Sequence, residues 1–202
     1  IPEFPYDLFE RDKEKYKDFG TMVTSRGCPY DCIFCSQRAI SGRLFRFTSI
    51  ERSLNEIDKL INKYGIYTIW FNEDSFAINK KRVFELCEGI INRGYHKRAE
   101  FIAELRADSG DRELLTKMHE AHFTMLAIGA ETGSERIMKI INKNFLINNT
   151  KLEKFDIECY TAPIYPKDSK IEGEDWHKIT FDITRIENFC RFYAWFSCKL
   201  YG

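Results

Sequence analysis

Cys28, Cys32 and Cys35 are the residues of this chain best placed by type and spacing to do chemistry. They stand as C-x3-C-x2-C in Gly27-Cys28-Pro29-Tyr30-Asp31-Cys32-Ile33-Phe34-Cys35, where Gly27 and Pro29 favour a tight loop. Three thiolates from one loop can hold three corners of a [4Fe–4S] cluster, which ordinarily takes four cysteines. The fourth iron is then open to a ligand with an amine and a carboxylate, as an open site on a catalytic metal accepts substrate. The alternatives are a zinc knuckle or cysteines that merely pack. Zinc normally takes four protein ligands, and no fourth Cys or His lies at the usual short spacing.

The elements that must position this loop follow a strand, loop and helix rhythm. Residues 20–24 form a short strand that enters the loop. A helix over 50–64 carries Ile50, Leu54, Ile57, Leu60, Ile61 and Tyr64 on one face, with Ser49 as N-cap and Gly65 as its stop. The nearly all-apolar Ile66-Tyr67-Thr68-Ile69-Trp70-Phe71 is a strand covered on both faces, hence in a parallel sheet. A helix bearing Val83, Phe84, Cys87, Ile90 and Ile91 follows. Strands over 100–106 and 125–128 and helices over 111–120 and 134–142 complete four units. This alternation implies right-handed βαβ crossovers, in either a doubly wound sheet or an incomplete barrel. After residue 142 the rhythm fails. Residues 157–160 are strand-like, and Ile186, Phe189, Phe192, Tyr193, Phe196 and Leu200 place a terminal helix over 184–200.

Composition bounds what the chain can be. Of 202 residues, 44% are hydrophobic and 31% charged, which is globular. Thirty-one Lys and Arg balance thirty-one Asp and Glu, so no generally basic nucleic-acid surface is expected. No apolar stretch is long enough to cross a bilayer, and Ile1-Pro2-Glu3-Phe4-Pro5-Tyr6-Asp7 is not a signal peptide and reads like the inside of a longer chain. Seven cysteines, three of them crowded together, argue against a secreted disulfide framework and for a reducing, cytoplasmic setting. Cys87, Cys159, Cys190 and Cys198 are expected to be buried thiols. His96, His119, His122 and His177 share no face or ligand spacing, and the lysines of 139–143 and the run Lys80-Lys81-Arg82 read as solvated helix faces.

The cysteine loop, its flank Thr24-Ser25-Arg26-Gly27 and the βα rhythm resemble radical S-adenosylmethionine (SAM) enzymes, most of all those with an N-terminal cobalamin-binding domain. Residues 1–9 resemble that group's interdomain linker. Trp70-Phe71-Asn72-Glu73-Asp74-Ser75-Phe76 resembles its second-strand motif, Glu104-Leu105-Arg106-Ala107-Asp108 its third, and Gly129-Ala130-Glu131-Thr132-Gly133-Ser134 its fourth. The resemblance implies a partial (β/α)6 TIM-like barrel with the cluster at the C-terminal strand ends. It implies iron ligation by Cys28, Cys32 and Cys35, and Phe34 beside the adenine of SAM. It places Glu73 and Asp74 near the amino end of SAM, Arg106 at its carboxylate, and Glu131 near the ribose or the amine. The bland readings are packing for Phe34, helix capping for Glu73 or Asp74, and an Arg106–Glu131 pair.

Residues 160–170 resemble the segment after the family's sixth strand. Only residues 150–156 lie between positions 149 and 157, too few for a helix and a complete fifth strand. The fifth β/α unit is therefore expected to be missing, and SAM binding to be weak. The organisation expected is a linker-like segment over 1–19, a shortened core over 20–170 and an extension over 171–202. The function implied is reductive cleavage of SAM to modify a small molecule by methylation, cyclisation or rearrangement, with electrons from a flavodoxin or ferredoxin. Cobalamin would need a further domain. The other readings are a methylthiotransferase-like protein acting on RNA, which would want a second cysteine cluster and a basic domain, and a non-catalytic iron–sulfur remnant.

Overall fold

The structure is a computed structural model that describes residues 5–7, 20–129, 135–143, 157–161, 177–180 and 196–200. Four strands form its parallel part: β1 (Gly20–Met22), β4 (Thr68–Phe71), β5 (Glu100–Arg106) and β6 (Phe123–Gly129). They lie side by side in that order, each paired with the next in sequence. A doubly wound sheet reverses its strand order at a switch point. The unbroken order here is that of a partial barrel.

Each crossover helix is placed by a polar cap and an apolar face. Ser49 caps α2 (Ile50–Asn62), its hydroxyl accepting from the Arg52 amide at 3.3 Å. Asn79 caps α3 (Lys80–Asn92) through the Arg82 amide at 3.1 Å, and Asp111 caps α4 (Arg112–Glu120) through the Leu114 amide at 3.0 Å. α2 packs on α3 and α3 on α4. Leu54, Ile57, Leu60, Val83, Leu86, Ile90, Leu114, Leu115 and Met118 are buried beneath them. Under these helices the rings of Phe71, Phe76, Phe101 and Phe123 meet, with centroids 4.8–6.0 Å apart. Alternation along β5 buries Phe101, Ala103 and Leu105 toward this core and gives Glu104 and Arg106 to the opposite face.

Between β1 and α2 lie β2 (Ser25–Arg26) and β3 (Arg46–Phe47), a two-residue antiparallel ladder, and the one-turn α1 (Gln37–Ile40) between them. α5 (Glu135–Ile140) follows β6.

Among the described residues no fifth parallel strand pairs with β6. Its outer edge instead pairs antiparallel with β9 (Phe196–Leu200), which continues to β7 (Ile157–Thr161) and β8 (His177–Thr180). β7 meets the expectation of a strand at 157–160. The terminal helix expected over 184–200 is corrected at its end, because 196–200 is strand. An open edge at β6 would leave a row of unpaired N–H and C=O groups, and pairing that row outweighs a weak helical period. The remainder of that expected helix lies outside the described residues. No helix among the described residues is long and apolar enough to cross a membrane.

Candidate metal and cofactor site

The cysteine loop springs from the C-terminal end of β1 and is fastened at several points. The Thr24 carbonyl accepts from the Thr48 amide at 2.8 Å and the Thr48 hydroxyl at 3.2 Å, which closes the neck of residues 25–47. Gly27 sits at φ +90°, and a Cβ there would stand 2.2 Å from the Leu44 carbonyl oxygen, so glycine is required. The Gly27 amide donates to Asp74 at 2.8 Å. Farther along, the Ile33 amide donates to the Ile141 carbonyl at 3.0 Å and the Asn142 side chain to the Asp31 carbonyl at 2.9 Å. The end of α5 thus holds the loop from the far side.

Cys28, Cys32 and Cys35 line one cavity of about 880 Å³, together with Phe34, Asn72, Glu73, Asp74, Glu104 and Arg106. Cys28 and Cys32 are half-buried and Cys35 is exposed. Burial pushes the Cys28 thiol above its ordinary range. Among the described residues no three Cys, His, Asp or Glu side chains are gathered as ligands of a single ion. The donor set fits a cluster, in which each thiolate holds a different iron, and its cavity leaves room for a further ligand.

Arg106 is 8% exposed and heavily engaged. Its Nε and Nη2 form a two-point contact with Asp108 at 2.9 and 3.0 Å, and Nη2 also donates to the Lys143 carbonyl at 2.9 Å. The guanidinium lies 3.7 Å from the Tyr30 ring centroid, and Nη1 is 3.7 Å from Cys32 Sγ. Its charge partner here is Asp108. Glu131 and any pairing with it lie outside the described residues.

The two acidic residues after β4 have different surroundings. Glu73 is 5% exposed and accepts from the Thr24 amide at 2.7 Å and from the hydroxyls of Thr24 and Ser25. Asp74 sits at the cavity and holds the Gly27 amide. Neither caps α3, a role filled by Asn79. Phe34 is 54% exposed on the cavity, with Lys143 Nζ 5.9 Å from its ring. Cys87 is fully buried and apart from the cavity; the backbones of 159 and 198 lie in β7 and β9, and Cys190 lies outside the described residues.

Four participants were not assigned a role in the site from the sequence. Tyr30 and Asp108 flank Arg106, Glu104 lines the cavity, and Lys143 is buried with Nζ on the Gly129 carbonyl at 2.8 Å. The expectation of a solvated Lys143 is thereby corrected: the amine satisfies the strand end of β6. Burial and like charge from Asp74 hold the Glu104 carboxyl above its usual range. An alternation count along 100–106 could have found Glu104, since it shares a face with Arg106.

A partial α/β barrel with three loop thiols at its strand ends defines a class of metal-cluster protein, and comparison with known proteins gives the family. Residues 22–169 match the Radical SAM superfamily, and the chain belongs to it. It is 35% identical over 145 residues to an uncharacterised methyltransferase of Pyrococcus horikoshii, covering 71% of this chain and 31% of that one. It is 28% identical over 142 residues to the anaerobic magnesium-protoporphyrin IX monomethyl ester cyclase of Cereibacter sphaeroides, covering 67% and 23%. Among solved structures, the cobalamin-dependent SAM radical enzyme OxsB, with aqua-cobalamin and SAM bound, superposes with a TM-score of 0.58 at 26% identity, covering 66% of this chain and 21% of that one. The chain spans about a third or less of the length of these relatives.

Proposed function

We propose that this chain is a radical SAM catalytic core that holds a [4Fe–4S] cluster and SAM and acts on a small molecule by methylation or cyclisation. The observation that carries the reading is the convergence of Cys28, Cys32, Cys35, Asp74, Glu104 and Arg106 on one cavity at the strand ends. When bound and reduced, such a cluster supplies an electron that cleaves SAM to a 5′-deoxyadenosyl radical. The residues of the chain hold and orient. Cys28, Cys32 and Cys35 ligate iron, which leaves one iron for the amino acid end of SAM. The exposed Phe34 ring offers the adenine a stacking face. Arg106 Nη1, beside Cys32, points a positive edge to a carboxylate, while Asp74 and Glu104 face an ammonium.

The names of the relatives favour methyl transfer or ring closure, and cobalamin, where used, would be held by residues outside this chain. A flavodoxin- or ferredoxin-type donor would supply the electron. Anaerobic reconstitution should give close to four irons and four sulfides per chain, and a reductant with SAM should then yield 5′-deoxyadenosine. Changing any of the three cysteines to Ala should abolish both. Stoichiometric zinc without sulfide would overturn the reading.

A further inference from the structure

A buried polar chain lies behind the cysteine segment. Arg82, in the first turn of α3, is not on a solvated face as its basic run suggests: it is 3% exposed and donates through Nη2 to the Thr24 hydroxyl. That hydroxyl donates in turn to Glu73, which also takes the Thr24 amide and the Ser25 hydroxyl. The Thr24 carbonyl receives the amide and hydroxyl of Thr48, and Thr48 and Ser53 of α2 share a hydrogen bond of 2.9 Å. Arg82 Nε and Nη1 have no hydrogen-bond partner among the described residues; the guanidinium lies 5.6 Å from the Phe47 ring centroid and is linked to Glu73 through the Thr24 hydroxyl. Thr24 enters and Thr48 leaves the one segment that carries all three cavity cysteines.

We propose that Glu73 and Arg82 are positioning residues: two buried opposite charges, bridged by the Thr24 hydroxyl, that clamp the neck of residues 25–47 and so preset the three thiols. This inference rests on the radical SAM reading, and it moves Glu73 away from a direct contact with SAM. Both carboxylate oxygens of Glu73 already hold the neck. Neutralising either charge leaves the other buried and uncompensated, a state proteins relieve by opening locally. A released neck leaves the segment free to sample many thiol arrangements.

The segment carries its own reporter, because Arg38, Arg43 and Arg46 are exposed trypsin sites. The test compares wild type, Glu73→Gln, Arg82→Met and Arg82→Lys, with circular dichroism to confirm folding. In the cluster-free chain, Glu73→Gln and Arg82→Met should speed cleavage at these arginines by about tenfold, the scale of a modest local opening. After reconstitution the same variants should lose iron faster and show a broadened, heterogeneous electron paramagnetic resonance signal. SAM affinity per bound cluster should stay within about twofold, because no ligand contact is removed. Arg82→Lys, which keeps the charge, should recover much of the protection and the sharp signal. If Arg82→Met does not fold, Thr48→Val, which removes one neck hydroxyl, carries the same comparison.

Wild-type cleavage rates and cluster signal in Glu73→Gln, with SAM affinity lost about tenfold or more, would make Glu73 a ligand contact and overturn the clamp. Failure of the wild type to take up iron would sink the radical SAM reading instead. Cleavage of the cluster-free chain would still read the neck.

Discussion

Gly27→Ala tests how tightly the cysteine segment is specified. A residue with a side chain pays about 1–2 kcal/mol to hold the left-handed φ of +90° seen here. The added Cβ would also stand 2.2 Å from the Leu44 carbonyl oxygen and 2.9 Å from its carbon. Both are backbone atoms, so no side chain can rotate away. Restoring ordinary contact needs a shift of about 1 Å or more between the two sides of the loop. That shift works against the Gly27–Asp74 bond of 2.8 Å, a charge-assisted contact that contributes about 1.5–3 kcal/mol. The sum is about 2.5–5 kcal/mol, carried by the loop and not by the phenylalanine core. Melting of the cluster-free chain should therefore change little. Cluster retention after anaerobic reconstitution and gel filtration should fall by about two orders of magnitude or more. Gly42→Ala is the internal control, since its φ of +71° has no atom within 4 Å of the added Cβ, and only the conformational cost remains. Equal iron and sulfide retention in the two variants would refute the argument.

Arg106→Lys should weaken SAM binding at least about tenfold by calorimetry, because an ammonium cannot keep the two-point contact to Asp108 and still reach the cavity; indifference would remove Arg106 from the site. Wild-type SAM binding itself should be weaker than a micromolar level by roughly one to three orders of magnitude, since among the described residues no fifth parallel strand pairs with β6 to contact the adenine half. Phe71→Ala should cost about 3–5 kcal/mol in denaturant melts, because its fully buried ring meets three others. Burial pushes the Cys87 thiol up to about 12, so the unfolded chain releases a proton that the folded chain keeps. Stability should decline as pH rises from about 9 toward 12, and Cys87→Ala should flatten that decline in alkaline melts.

The parts legible in the sequence are those written in local spacing. Ser49 before an apolar face gave the start of α2, and the β-branched and aromatic run to Phe71 gave β4. The thiol spacing placed Cys28, Cys32 and Cys35 in one loop, and the structure brings them to one cavity. What escaped depends on partners far away in the chain. Tyr30 stacks on Arg106 across the cavity, and no period connects positions so distant. The ladder of β2 and β3 is two residues long, too short for any alternation to register. Thr24 and Thr48 look like ordinary loop threonines until their bond closes the neck. Residues 196–200 carry apolar groups compatible with helix or strand, and the open edge of β6 decided between them.

β1 and β6 stand at opposite sides of the parallel set, with β4 and β5 between them. The thiol segment grows from the first, and the antiparallel ribbon departs from the barrel pattern beside the second. Residues 141–143 bridge the two sides, through the Ile141 carbonyl to Ile33 and the Asn142 side chain to Asp31 on the loop, the Lys143 carbonyl to Arg106 of β5, and the Lys143 amine to the Gly129 carbonyl of β6. Segments exchanged at the β6 side should leave iron and sulfide uptake by the β1-side loop unchanged, provided those three positions keep their backbone geometry. For engineering, the bridge marks the seam along which such a chimera should be cut.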